Sequence, residues 1–331
     1  MSETTAAPAQ GLTATTLRGT AVAGLGIAVP DTVVANAPIA DRLGVDDDWI
    51  FSRTGIRERR VLADGESLQD LATAAGEAAL KDAGAGAGDI DMVLVATATA
   101  DDIIPNLAPL VATALGADRA GALDIGAACS GFLGAAQLAA GMLESGRAES
   151  ILIIGAEALS RFIDPDDKGS APIFGDAAGA MLLRNTSSPG ELGPVILRGE
   201  AQRDLLFAGR ERGVIEMEGR EVFKHAIARM SEATHQACTA AGIGLEEIDL
   251  FIYHQANTRI IDAVGRRLGL EPERVVDCIA LYGNVSAASI PLALAHARDD
   301  GRLVDGTRVL MSAFGAGFVW GAAVLDWRGT A

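Results

Sequence analysis

Apolar positions along the chain fall into two kinds of run. Over Leu68–Ala83 and Val222–Ala241 they recur at the spacing of an amphipathic helix, with polar residues between. Over Met92–Thr97, Ile151–Gly155, Leu250–Tyr253 and Val309–Ser312 they are nearly unbroken, which predicts short strands buried on both faces. Alanine-rich stretches at Gly131–Ser145 and Ala287–Arg298 predict further helices. The order helix, strand, helix, strand therefore occurs twice. The two copies align: Ile90 falls on Ile248 and Asp91 on Asp249, an offset of 158 (248 − 90). Carried forward without a gap, the same offset pairs Ala135 with Ala293, Ala139 with Ala297, and the strand from Ile151 with that from Val309. These patterns predict a layered α/β protein made of two duplicated halves that share one interior.

At 331 residues the chain is long enough for a substantial core. We expect a disordered tail over 1–16, a first half over 17–185, a linking segment over 186–218 and a second half over 219–331. The segment Met1–Thr16 has no lysine or arginine ahead of an apolar block, so it does not read as a signal peptide. With only 4% aromatic residues and 39 glycines, the core must be built from alanine, valine and leucine packed closely. A formal net charge of −17 argues against nucleic acid or an anionic membrane as partner, since neither is attracted to an acidic surface. No uninterrupted apolar run reaches the length of a membrane span. Cysteines at 129, 238 and 278 have no metal-type spacing and are odd in number, so the expectation is a reduced, cytoplasmic protein with no disulfide, metal or cofactor.

One cysteine differs from the others in context. Cys129 lies where a strand-like run ending near Asp124 meets small residues and then the helix from Gly131. A thiol at a helix start feels free N–H groups and the positive end of the dipole, which favour thiolate. Under the duplication Cys129 falls opposite Ala287, three residues after Asn284, and His254 ends the strand that corresponds to Met92–Thr97. The pattern thus draws Cys129, His254 and Asn284 towards one centre. Cys238 and Cys278 read as packing residues, and His225, His235 and His296 as surface or satisfied histidines. Gly24-Leu-Gly26 reads as a turn at a strand, Asp46–Asp48 as a helix start, and Arg57, Arg59 and Arg60 as either a phosphate contact or a solvated, acid-paired face.

The segments around Cys129 (Asp124–Phe132), His254 (Tyr253–Asn257) and Asn284 (Tyr282–Ser289), together with Trp49–Arg59, Phe174–Gly179 and Phe314–Gly321, resemble β-ketoacyl-acyl carrier protein synthase III. The resemblance runs from about Leu17 to Trp327. It implies a thiolase-like five-layer α-β-α-β-α fold, a homodimer, and decarboxylative condensation of an acyl-coenzyme A starter with malonyl-acyl carrier protein through an acyl-cysteine. In that family Cys129 would be the nucleophile, with His254 and Asn284 as donors to the enolate. The backbone N–H groups of Cys129 and Ala316 would form the second oxyanion hole. Trp49, Arg53, Lys168 and Asn257 would contact coenzyme A, Lys168 replacing a usual arginine and so stacking less well. Leu159 and Ile104 would wall the acyl pocket, Ile104 in place of a phenylalanine that reaches across the dimer, which suggests starters bulkier than acetyl. Lys224, Gln255, Arg259, Arg266 and Arg267 would dock the acidic carrier; Arg259, Arg266 and Arg267 share one predicted helix face, and Arg220 with Lys224 another. The alternatives are a starter-loading enzyme or acyltransferase of a polyketide pathway, and an inactive carrier-binding scaffold.

Overall fold

The computed structural model describes residues 18–187, 191–209 and 213–329. The tail expected over 1–16 lies outside them.

Each half is organised around a mixed sheet. The first has the strand order Gly19–Ala28, Asp176–Thr186, Ser150–Ala158, Met92–Ala96, Gly121–Ile125. Its last three strands are parallel, and the first two pair antiparallel. The second sheet runs Leu250–Tyr253, Arg308–Gly315, Gly317–Asp326, Ile196–Gln202, with one parallel pair followed by two antiparallel ones. The duplication holds in register. Asp91 N–H donates to Ser150 O and Asp249 N–H donates to Arg308 O, both steps separated by the same 158 residues (249 − 91 and 308 − 150).

Two helices lie between the sheets. Gly131–Glu144 and Ser289–Asp299 are buried along most of their length, as expected of helices apolar on nearly every side. Their alanines and leucines join both sheets in one cluster that includes Leu133, Ala139, Ile153, Leu294 and Met311. Leu68–Asp82 and Leu107–Leu115 cover the outer face of the first sheet, and Gly219–Ala241 and Thr258–Leu268 that of the second. The result is five layers, α-β-α-β-α.

Small residues set the spacing of these layers. A Cβ on Gly155 would stand 2.3 Å from Ala287 O, so the strand Ser150–Ala158 and the turn ahead of the second central helix are in backbone contact. Gly24 and Gly26, expected at a turn, lie inside the strand Gly19–Ala28, where a Cβ on either would meet the backbone of Ala79 at 2.2 Å. Their sequence signal was the close approach of a helix. Asp46 is the helix start expected of it: its carboxylate accepts from Trp49 N–H at 2.6 Å. Arg59 fits neither expectation. It is 1% exposed and donates to Val34 O, Asn36 Oδ1 and Pro172 O, so it is a buried brace, and burial lowers its pKa to about 10. Cys238 and Cys278 are buried, Cys278 at the start of a short helix and not in a strand. The linking segment supplies the strand Ile196–Gln202 and a small hairpin, Leu206–Ala208 with Ile215–Met217.

Candidate active site

A cavity of about 1330 Å³ opens between the halves and reaches Cys129, His254, Asn284 and Ala316. Cys129 occupies a 3-10 turn, Ala128–Ser130, that leads into the first central helix. Its counterpart in the second half is the turn Ser286–Ala288. The two turns share a backbone conformation rare for residues with a side chain: Ala128 has φ 45° and Ser286, 158 positions later, φ 46°. Gly315, at the end of a central strand, presses on the nucleophile, since a Cβ there would lie 2.8 Å from Cys129 N. The next residue, Ala316, lines the cavity beside it.

His254 follows the strand Leu250–Tyr253 and is 2% exposed. Its Nδ1 lies 2.7 Å from Ser289 Oγ, leaving Nε2 as the ring nitrogen available to the cavity. Burial lowers its pKa to about 3, so the imidazole is neutral at physiological pH. Asn284 is held at three points. Its N–H donates to Ile173 O at 2.9 Å, its carbonyl accepts from Gly175 N–H at 3.1 Å, and its Oδ1 accepts from Ser286 N–H at 2.9 Å. The last bond fixes the amide orientation, and the Nδ2 hydrogens are the part left to donate.

Cys129 does not follow the simple helix-start expectation. Burial drives its thiol up to about 11, the negative charge of Glu157 pushes the same way, and the polarity of the nearby Ser286 hydroxyl opposes both. Desolvation outweighs the helix start here.

Trp49, Arg53, Lys168, Asn257 and Arg259 line the outer part of the cavity. The Arg53 guanidinium lies over the Trp49 ring at 4.3 Å. Asn257 Nδ2 donates to Arg53 O at 2.9 Å while its Oδ1 caps the helix Thr258–Leu268 through Arg259 N–H. Leu159 is in the wall. Ile104 is not: it is 84% exposed beside Ile103, 70% exposed, which reaches the cavity itself. Arg259, Arg266 and Arg267 are exposed on one helix, and Lys224 on another, where it pairs with Glu221 at 2.7 Å. Gln255 belongs with none of them. It is 2% exposed and its amide bonds Tyr253 O, Val276 O and Cys278 N–H, so the side chain braces the core and cannot touch a docked partner.

The sequence reading missed the apolar wall formed by Phe174, Leu206, Ile215, Met217, Val222 and Met230. It also missed Ser286 and Glu157. Ser286 stood inside the Asn284 segment and could have been found from it; Glu157, within an apolar strand, offered only its own oddity. Among the described residues no three His, Cys, Asp or Glu side chains cluster as a metal site, and no helix is long and apolar enough to cross a membrane.

Residues 123–199 match the family described as 3-oxoacyl-[acyl-carrier-protein] synthase III, and residues 238–327 match its C-terminal part. The β-ketoacyl-[acyl-carrier-protein] synthase III of Bradyrhizobium diazoefficiens is 42% identical over 321 residues, covering 92% of this chain and 98% of its own. The crystal structure of the corresponding synthase from Pseudomonas aeruginosa superimposes with a TM-score of 0.91 at 38% identity, over 95% of this chain and 100% of that one. The priming β-ketosynthase of the R1128 polyketide pathway is similar too, with a TM-score of 0.92, 33% identity and coverage of 97% and 100%. With relatives this similar over nearly the full length, the chain belongs to the β-ketoacyl-acyl carrier protein synthase III family of condensing acyltransferases.

Proposed function

We propose that Cys129 takes an acyl group from an acyl-coenzyme A starter and passes it to the carbanion formed when malonyl-acyl carrier protein loses carbon dioxide. The supporting observation is the convergence of Cys129, His254 and Asn284 on one cavity from three separate segments. In the first half-reaction the sulfur attacks the thioester carbonyl, and the N–H groups of Cys129 and Ala316 receive the developing oxyanion. In the second, the malonyl thioester oxygen gains charge as carbon dioxide departs. His254 Nε2–H and Asn284 Nδ2–H then donate to it, the Nε2–H tautomer being the one in which Nδ1 accepts from the Ser289 hydroxyl 2.7 Å away. A neutral imidazole suits this task, because it stabilises the enolate as a donor without protonating it.

Arg53 and Trp49 at the mouth fit a nucleotide and its phosphates, with Lys168 beside them. The basic face of Arg259, Arg266 and Arg267, with Lys224, fits an acidic carrier on a protein otherwise strongly negative. The exposure of Ile104 supports reading it as a side chain that enters the pocket of a second copy, in a homodimer of the cytoplasm. The wide apolar wall favours starters larger than acetyl. Incubation with a panel of acyl-coenzyme A esters, read by the mass added to the protein, should give single acylation that Cys129→Ala abolishes. Acylation at another residue would overturn the assignment. The likeness to the R1128 priming enzyme supports a second reading, starter loading for a polyketide, which requires condensation to prefer a polyketide carrier over the fatty acid one.

A further inference from the structure

One ionisable group below the cavity has no part in the chemistry above. Glu157, near the end of the strand Ser150–Ala158, is 0% exposed. A carboxylate so placed costs several kcal/mol unless it is hydrogen-bonded. The fold provides three donors. Thr99 Oγ1–H at 2.6 Å and Ala98 N–H at 3.1 Å reach Oε2, and Ser286 Oγ–H at 2.9 Å reaches Oε1. Among the described residues no basic side chain pairs with it, and burial holds its pKa above the ordinary value. Ser286 and Cys129 both line the cavity on turns that pack against each other, and the nearby Ser286 hydroxyl pulls the thiol pKa down. Among the described residues Ser286 is thus the side chain that binds the buried acid from a turn beside the reacting cysteine, on a left-handed backbone at φ 46°.

We propose that Glu157, acting through Ser286, accepts the proton that Cys129 must lose before it attacks. The proposal rests on the assignment of Cys129 as nucleophile. The thiol proton passes to Ser286 Oγ while the serine's own proton passes to Glu157 Oε1. The S–H and the original Ser O–H bonds break, one O–H bond forms on each oxygen, and the single negative charge moves from carboxylate to sulfur. The new Ser286 O–H then donates to the thiolate, and the neutral carboxyl donates to Ser286. When the starter's thiolate leaves, the stored proton returns over Ser286 to that sulfur and the carboxylate is restored. Moving a charge within the buried site avoids creating a second one beside Glu157, the obstacle expressed in the raised thiol pKa. Ser286 stands beside the reacting atom in the cavity wall, and Glu157 acts through it as a positioning residue.

Other titratable groups near Glu157 are occupied elsewhere. His254, from the neighbouring half, is neutral. Asp176, on the adjoining strand, is bound to Leu62 N–H and Ser160, and Asp101, in the loop after Met92–Ala96, pairs with Arg161. The turn Ser286–Ala288 brings no charged side chain.

The test is the rate of iodoacetamide labelling at Cys129, mapped by mass spectrometry between pH 5 and 9, for the native chain, Glu157→Gln and Ser286→Ala. An internal transfer gives the native protein a limb on which the rate does not change with pH, because no proton leaves the site. Both variants should lose that limb and slow about tenfold for each unit of falling pH, as for a thiol that releases its proton to water. A structural brace would change all rates by one factor and leave the shape alone. Glu157→Gln keeps an acceptor for Thr99 and Ala98; should it not fold, Ser286→Ala gives the same reading with Glu157 intact. A native profile with the tenfold slope throughout, or a flat limb surviving in a folded variant, overturns the relay. Acylation found at another residue overturns the nucleophile assignment itself, a different failure.

Discussion

Replacing Asn284 by aspartate separates the two half-reactions with little structural disturbance. The backbone bonds to Ile173 and Gly175 do not involve the side chain, and an aspartate oxygen can still accept from Ser286 N–H. What disappears is the Nδ2–H donor, and the carboxylate that replaces it puts negative charge where the enolate develops, which adds to the loss. Loss of one well-placed oxyanion donor costs about 3–4 kcal/mol, or roughly 10²–10³ in rate. Alanine would add the cost of an unsatisfied Ser286 N–H, about 1–3 kcal/mol, and so confuse stability with chemistry. We therefore expect Asn284→Asp to release carbon dioxide from malonyl-carrier at least a hundredfold more slowly, with Cys129 acylation by acyl-coenzyme A slowed less than tenfold. Trapped carbon dioxide measures the first quantity and the mass of the quenched enzyme the second. Decarboxylation within tenfold of native would refute the donor role; equal loss of both rates would mean that Asn284 serves the turn and not the enolate.

Three other perturbations test separate parts of the structure. With the His254 pKa near 3, decarboxylation by Cys129→Ala should be flat between about pH 5.5 and 8.5, and a step near 6.5 that disappears in His254→Gln would contradict the neutral imidazole. The same depressed pKa makes the unfolded state bind the proton between about 6.5 and 3. His254 should thus contribute stability above pH 6.5 that declines as pH falls through that window, visible as a difference in urea midpoint between native and His254→Gln. Neutralising Arg259 and Arg267 together should raise the apparent KM for malonyl-carrier about tenfold and flatten its salt dependence, with acyl-coenzyme A acylation changed far less; an unchanged KM removes the docking face. Gly155→Ala should cost about 1–3 kcal/mol by forcing the strand off Ala287 O, lowering the melting temperature by several degrees, and an unchanged melting curve would show that the two backbones can separate freely.

The layers and their pairing were legible because both halves repeat the same boundary, a buried apolar strand followed by a small-residue turn and a helix. The offset of 158 found by aligning Ile90 with Ile248 reappears in the Asp91–Ser150 and Asp249–Arg308 bonds. Cys129, His254 and Asn284 were legible because each stands at such a boundary. Orientation was not. Gln255 and Arg59 look like surface residues in sequence, yet each finds backbone carbonyl partners inside, at separations of up to 113 residues. Glu157 is harder still, since its partners Thr99 and Ser286 are 58 and 129 residues away on either side. Local pattern records which face of an element is apolar; it does not record which polar group at its end is matched from another half. The strands Gly19–Ala28, Gly121–Ile125, Asp176–Thr186, Ile196–Gln202 and Gly317–Asp326 contribute the rest of the two sheets without belonging to the recurring helix–strand unit that revealed the others.

Ser286 has two jobs in one residue: its amide orients Asn284, and its hydroxyl meets Glu157. Any redesign that shifts this position would retune loading and condensation together, so the two steps cannot be optimised independently from here. The strand pair Leu206–Ala208 and Ile215–Met217, by contrast, borders the same chamber through residues that take no part in those bonds. Engineering for new starters belongs on that hairpin, where the wall can be recut without disturbing the machinery beneath it.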